Sequence, residues 1–216
     1  MSKRFFALCT AGFLLIFSSA PAMAFGGDDA FPAYLEKPQW IDVSQNTWYT
    51  EEVDLCFQIG MMNGVGGGRF APETKMTRGE VIALAARAHH RIYAGWETPS
   101  LAPVDGEWYQ VYVNYLRQIG IADVVNPKGQ ATRLYFAKLI AKVLPREMLE
   151  PINQITSVSD IESEDVLCLY NAGILTGINS ALQFNPGGAM TRAEAATMVA
   201  RVARRALRRH MALPNA

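Results

Sequence analysis

Three observations predict an all-α chain built from three helix–loop–helix repeats. The phrase Thr-Arg occurs at Thr77-Arg78, Thr132-Arg133 and Thr191-Arg192, with starts 55 and 59 residues apart, and a near-constant period marks repeated supersecondary units. Each phrase opens a segment that is apolar around most of its girth, which suits the centre of a fold. Each is also preceded by a shorter segment that ends at a glycine: Gly60, Gly120 or Gly173. Three equivalent apolar helices predict a central three-helix bundle in a pseudo-threefold spindle, with the first helices and glycine loops outside.

Residues 1–24 read as a signal peptide. Lys3 and Arg4 supply the positive end, Phe5 to Phe17 the apolar run, and Ala22-Met23-Ala24 the cleavage site. The run is short for a membrane span, and no later stretch is apolar enough to make one. Residues 25–39 form a short N-terminal segment. The chain carries 20 Lys and Arg against 20 Asp and Glu, and cleavage removes two of the basic residues. A nearly neutral mature chain lacks the strongly basic surface that nucleic-acid binding requires.

Repeat one (40–90) begins with extended Trp40 to Val43 and a turn at Ser44 to Asn46. A helix is predicted from Trp48 to Ile59, with Val53, Cys56 and Ile59 on one face and Gly60 closing it. Asn63-Gly64 and Gly66 to Gly68 make a loop, and Phe70-Ala71-Pro72 leads to the second helix at Thr77. Repeat two (101–145) keeps Val104-Asp105, Trp108-Tyr109 and Gly120-Ile121, but its loop is shorter and has only Asn126-Pro127. Repeat three (156–204) restores the pattern with Val158 to Ile161, a helix to Ala172, then Phe184-Asn185-Pro186 before Met190. Residues 205–216 are a basic C-terminal tail.

Within the repeated phrase, Thr77 with Glu80 and Thr191 with Glu194 read as capping boxes, which need no function to explain them. The arginine is different. A cation at the first helical position opposes the helix dipole at a cost of roughly 0.3–1 kcal/mol, yet Arg78, Arg133 and Arg192 all stand there. An arginine fork beside free helix N–H groups suits an anion, above all a carboxylate. A structural salt bridge is the other reading.

No chemistry of catalysis emerges elsewhere. His89-His90 and His210 lack partners at metal-ligand spacing and read as solvated helix ends, so neither metal nor cofactor is expected. Asp42, Asp105 and Asp160 recur one per repeat, as turn or binding residues and not as a paired acid and base. Cys56 and Cys168 are either a disulfide pair or two small apolar residues on helix faces. The run Arg201, Arg204, Arg205, Arg208 and Arg209 reads as a solvated helix end favoured by the dipole, or as a contact to an anionic surface.

Aromatic-x-Asp-Val, Trp-Tyr, Gly-Met-Met-Asn-Gly, Arg-Phe-x-Pro and Thr-Arg-Gly-Glu together resemble an S-layer homology (SLH) repeat. Three copies, the second degenerate, resemble a cell-wall-anchoring SLH domain from Trp40 to about Ala203. The resemblance implies a three-pronged spindle whose grooves bind secondary cell-wall polymers, often through a pyruvylated sugar whose carboxylate meets the motif arginine. It implicates Arg78 and Arg192 first, then Asp42, Asp160, Trp48, Gly64 and Gly177. Arg133, Asp105 and Trp108 match as well, in the repeat lacking the loop and the Glu.

The expected function is therefore a secreted, non-catalytic module that binds a cell-wall polysaccharide or peptidoglycan at the bacterial surface, on the periplasmic side where two membranes are present. The alternative is a surface adaptor presenting its basic C-terminal helix to an envelope protein or membrane.

Overall fold

A computed structural model describes residues 31–95 and 101–211. The signal peptide expected at 1–24 lies outside the described residues. Six α-helices follow in order: α1 (Thr50–Gln58), α2 (Arg78–Ala94), α3 (Gln110–Gln118), α4 (Arg133–Val143), α5 (Glu164–Asn171) and α6 (Arg192–Ala203). Short 3-10 turns at Arg146–Leu149 and Arg205–Leu207 complete the list of helical elements. There is no sheet among the described residues, only isolated bridges. The fold is all-α, and each repeat contributes a short first helix and a second helix that opens on the Thr-Arg phrase.

Glycine ends each first helix for a conformational reason. Gly60, Gly120 and Gly173 have φ of 64°, 88° and 72°, the left-handed region that a Cβ disfavours. The first helix of repeat one starts at Thr50 and leaves Trp48 in the preceding turn.

The second helices are capped as read. Thr77 and Thr191 form complete capping boxes with Glu80 and Glu194, while Thr132 accepts only the Tyr135 N–H. Their starts are joined in a ring. Met76 N–H donates to Met190 O (2.8 Å), Met190 N–H to Ala131 O (3.0 Å), and Ala131 N–H to Met76 O (2.9 Å). From this ring α2 packs against α4, α3 against α2, α5 against α4, and α1 against α6. In α6 every residue but Glu194 is buried, so the most alanine-rich of the second helices lies deepest.

Cys56 and Cys168 are both free. Cys56 is buried, and its thiol donates to Ala196 O at 3.1 Å; burial, then the charge of Glu52, pushes its pKa up. His89 and His90 depart from the solvated reading. His89 Nδ1 is 2.8 Å from the Tyr115 hydroxyl and the ring stacks on Tyr93. His210 is exposed.

The C-terminal arginines also depart from expectation, because the chain turns back after Ala203 and is tied down. Arg201 donates to Ile174 O, Arg204 to Phe31 O, and Arg208 to Arg201 O and Met148 O. Arg205 pairs with Glu150 at 3.1 Å. Burial, then the charge of Arg209, brings the Arg201 pKa down to about 10. Most of the run is thus spent inside the molecule, and no free basic helix is presented among the described residues.

Candidate functional site

Each Thr-Arg arginine leaves its own repeat and completes the next one. Arg192, at the start of α6, donates through Nε to Phe70 O (2.8 Å) and through Nη2 to Asn63 O (2.7 Å) in the loop of repeat one. Its Nη1 is 3.5 Å from Glu80 Oε1, and its guanidinium lies 4.6 Å from the Phe70 ring centroid. Arg133 repeats this geometry in repeat three: Nε to Phe184 O (2.8 Å), Nη2 to Thr176 O (3.5 Å) and Nη1 to Glu194 (3.1 Å). Both arginines are almost wholly buried, at 6% and 4% exposure. Burial lowers the pKa of Arg192, and the nearby Glu80 opposes that.

Arg78 reaches repeat two, where Tyr135 replaces the glutamate. Its guanidinium lies 4.9 Å from the Tyr135 ring centroid, and its buried Nε has no partner. It lines a cavity of about 320 Å³ with Asp123, Tyr135 and Lys138. The Asp123 carboxylate that could have served it is instead paired with Lys142.

The helix starts themselves are not free. The N–H groups of Arg192 and Ala193 donate to Thr74 O and Pro72 O of repeat one. Those of Arg133 and Leu134 go to Gly188 O and Pro186 O, and those of Arg78 and Gly79 to Gly129 O and Pro127 O. The expectation that bare amides assist the arginine is therefore corrected. A neighbouring loop has already satisfied the donors that a helix terminus leaves open, and only side chains remain to meet a ligand.

The early aspartates act as clamps. Asp42 accepts the N–H groups of Phe70 and Ala71, both at 2.8 Å. Asp160 accepts those of Phe184 (2.8 Å) and Asn185 (2.7 Å). Burial opposes their charge, but these backbone bonds outweigh it and lower both pKa values. Asp105 is exposed and makes no equivalent bond among the described residues. Gly64 and Gly177 are packing glycines: an added Cβ would lie 2.8 Å from Arg69 O at the first and 2.4 Å from Leu182 Cα at the second.

One groove brings several predicted residues together. Gly64 and Asn63 from repeat one, Glu80 and Arg87 from α2, Trp108 from repeat two and Arg192 from repeat three line a cavity of about 210 Å³. Trp108 is 55% exposed. Trp48, 62% exposed, stands two residues before α1 as Trp108 stands before α3. Helix α1 packs on α6 as α3 packs on α2. Arg87 escaped the sequence reading. It had a signal, because a basic residue follows each motif arginine at the same distance: Arg87, Lys142 and Arg201. Arg87 and Arg201 donate to matching carbonyls, those of Met61 and Ile174.

Among the described residues no cluster of His, Cys, Asp and Glu could hold a metal, and no helix is long and apolar enough to cross a membrane.

The S-layer homology domain model matches residues 42–82 and 155–196, which are the two repeats with complete loops and capping boxes. The chain is 24% identical over 169 residues to the S-layer protein sap of Bacillus anthracis and to an S-layer protein of Bacillus thuringiensis subsp. finitimus. Each match covers 74% of this chain, which spans about a fifth of those proteins' length. A cell surface protein of Thermoanaerobacter kivui is 34% identical over 61 residues, 28% of this chain and 8% of that protein. Repeats one and three, completed by the Thr-Arg arginines of their neighbours, are thus the parts of the chain that match the S-layer homology domain.

Proposed function

We propose that this chain is a non-catalytic anchoring module, exported to the bacterial surface, that binds an acidic secondary cell-wall polysaccharide in its inter-repeat grooves. The observation that carries the reading is the meeting of Arg192, Arg87 and exposed Trp108 in one groove, from three different repeats. The two guanidinia outnumber the single glutamate there, so a net cationic site faces an aromatic surface. A sugar ring seated on Trp108 with its carboxylate toward Arg192 uses both features. A pyruvylated sugar has that form. The second groove of this kind is assigned to Arg133, Gly177 and Trp48. The names of the similar proteins, S-layer and cell surface proteins, favour the same location.

Arg192→Ala is a poor test, because it also removes three contacts between repeats. Trp108→Ala and Arg192→Lys are better: the first alters an exposed side chain, and the second keeps the charge while losing the fork. Co-sedimentation of the mature chain with purified cell walls should weaken about tenfold for Trp108→Ala, the loss of one aromatic anchor. Binding that survives removal of the secondary polymers would identify peptidoglycan as the ligand instead. Undiminished binding in the double variant would remove the groove from consideration.

A further inference from the structure

Behind the Arg192 groove opens a second cavity of about 290 Å³, lined by Tyr34, Asn63, Arg87, His90, Arg91 and Tyr112 among others. Arg87 and Arg91 sit one turn apart on α2, about 6 Å along its axis. Both guanidinia are fixed by neutral groups. Arg87 Nη1 donates to Met61 O and Nη2 to the Tyr112 hydroxyl, each at 3.0 Å. Arg91 Nη1 donates to Ile59 O (3.0 Å) and Nη2 to the Tyr34 hydroxyl (2.8 Å). Each guanidinium also lies 5.1 Å from the ring centroid of its tyrosine.

No carboxylate among the described residues balances this pair. Among the described residues neither arginine has an acidic partner, and no acidic side chain lines the cavity. Arg192 and Arg133, by contrast, each face a glutamate. A guanidinium has five N–H donors, and these two spend two apiece, leaving three each. Two immobilised, unneutralised guanidinia around one cavity make an oxyanion receptor. Asn63 and Arg87 line this cavity and the Arg192 groove alike, so the two are adjacent.

We propose that this cavity is a second anion subsite, which takes the next acidic substituent, a phosphate or carboxylate oxyanion, of the polymer whose first acidic group lies at Arg192. The inference rests on the groove reading above. Tyr34, Arg87, Arg91 and Tyr112 all lie outside the residues matched by the family model. The subsite also gives the segment before repeat one a role. Tyr34 and Leu35 donate their N–H groups to Gln58 O, which holds Tyr34 as a wall of the cavity.

The full mature chain can be titrated with inorganic phosphate and, separately, with pyruvate, followed by NMR at two reporters. The Trp108 indole reports the first groove and the His90 ring the second cavity. The expected result is a saturable His90 response to at least one anion, weakened about tenfold in Arg91→Gln by loss of one charge-assisted contact, with the Trp108 response unchanged. A response to phosphate alone assigns a phosphodiester, and to pyruvate alone a carboxylate; either supports the subsite. A silent His90 beside a responding Trp108 overturns the subsite and leaves the groove standing, as does a His90 response that Arg91→Gln does not weaken. A responding His90 beside a silent Trp108 supports the second cavity and overturns the first. Silence at both overturns both.

Discussion

Ala71 holds φ at 59°, where Asn126 and Asn185 stand at the matching points of repeats two and three with φ of 48° and 59°. An alanine in the left-handed region costs roughly 1–2 kcal/mol, and asparagine tolerates it better. The turn persists because the Asp42 carboxylate grips the N–H groups of Phe70 and Ala71 that lead into the bend. Ala71→Asn should therefore stabilise the chain by about 0.5–1 kcal/mol, a rise of about 1–4 °C in melting temperature. A lowered melting point would mean that the clamp, and not the residue, sets the turn energy. His89 supplies a pH dependence at the same scale. Burial, then the charge of His90, lowers its pKa to about 4 from the usual 6.5. The unfolded chain thus binds more protons between those values. The contribution of His89 is present in full above pH 6.5 and is lost as pH falls toward 4. Melting temperatures across that window should fall less steeply in His89→Gln than in the parent, and parallel profiles would count against the assignment.

At the scale of the element, the caps of α2, α4 and α6 are unequal. Thr77→Ala and Thr191→Ala each remove a hydroxyl from a two-sided box and should cost about 1 kcal/mol. Thr132→Ala removes a one-sided cap and should cost less. Chemical denaturation of the three variants orders them, and an equal or larger loss at Thr132 would refute the ranking. The capping boxes were legible in the sequence because their partners lie three residues apart. So were the helix-ending glycines. The destination of the arginines was not legible, because their contacts span 43 to 129 residues of chain. The dipole argument correctly marked arginine as out of place at a helix start. The partners that Arg133 and Arg192 find are carbonyls and a glutamate of another repeat.

The whole molecule behaves as a closed ring of dependencies. The α6 start is capped by repeat one, the α2 start by repeat two and the α4 start by repeat three. No repeat supplies the acceptors for the first two N–H groups of its own second helix, and the Arg192 groove draws on all three repeats. Removing residues 156–211 should strip the caps from α4 and take Arg192 from repeat one. The fragment should then lose helical circular dichroism and its cooperative melt, where the parent unfolds in one transition. A fragment that keeps a sharp transition would show that the repeats fold singly.

Periodicity, caps and apolar faces are local properties, so the sequence by itself determined the all-α class, the starts of the second helices and the glycines that close the first helices. It also exposed repeat two as the copy that lost its glutamate. Only the tertiary structure decided which arginine serves which groove, that the helix-start amides are already occupied, and that Trp108 of the degenerate repeat faces the groove of an intact one. It likewise tied Arg201, Arg204 and Arg208 to distant carbonyls and set Arg87 beside Arg91 with no counter-ion among the described residues. Each of these depends on how one repeat is rotated against the next, and that rotation is fixed by hydrogen bonds and ion pairs between residues far apart in the chain.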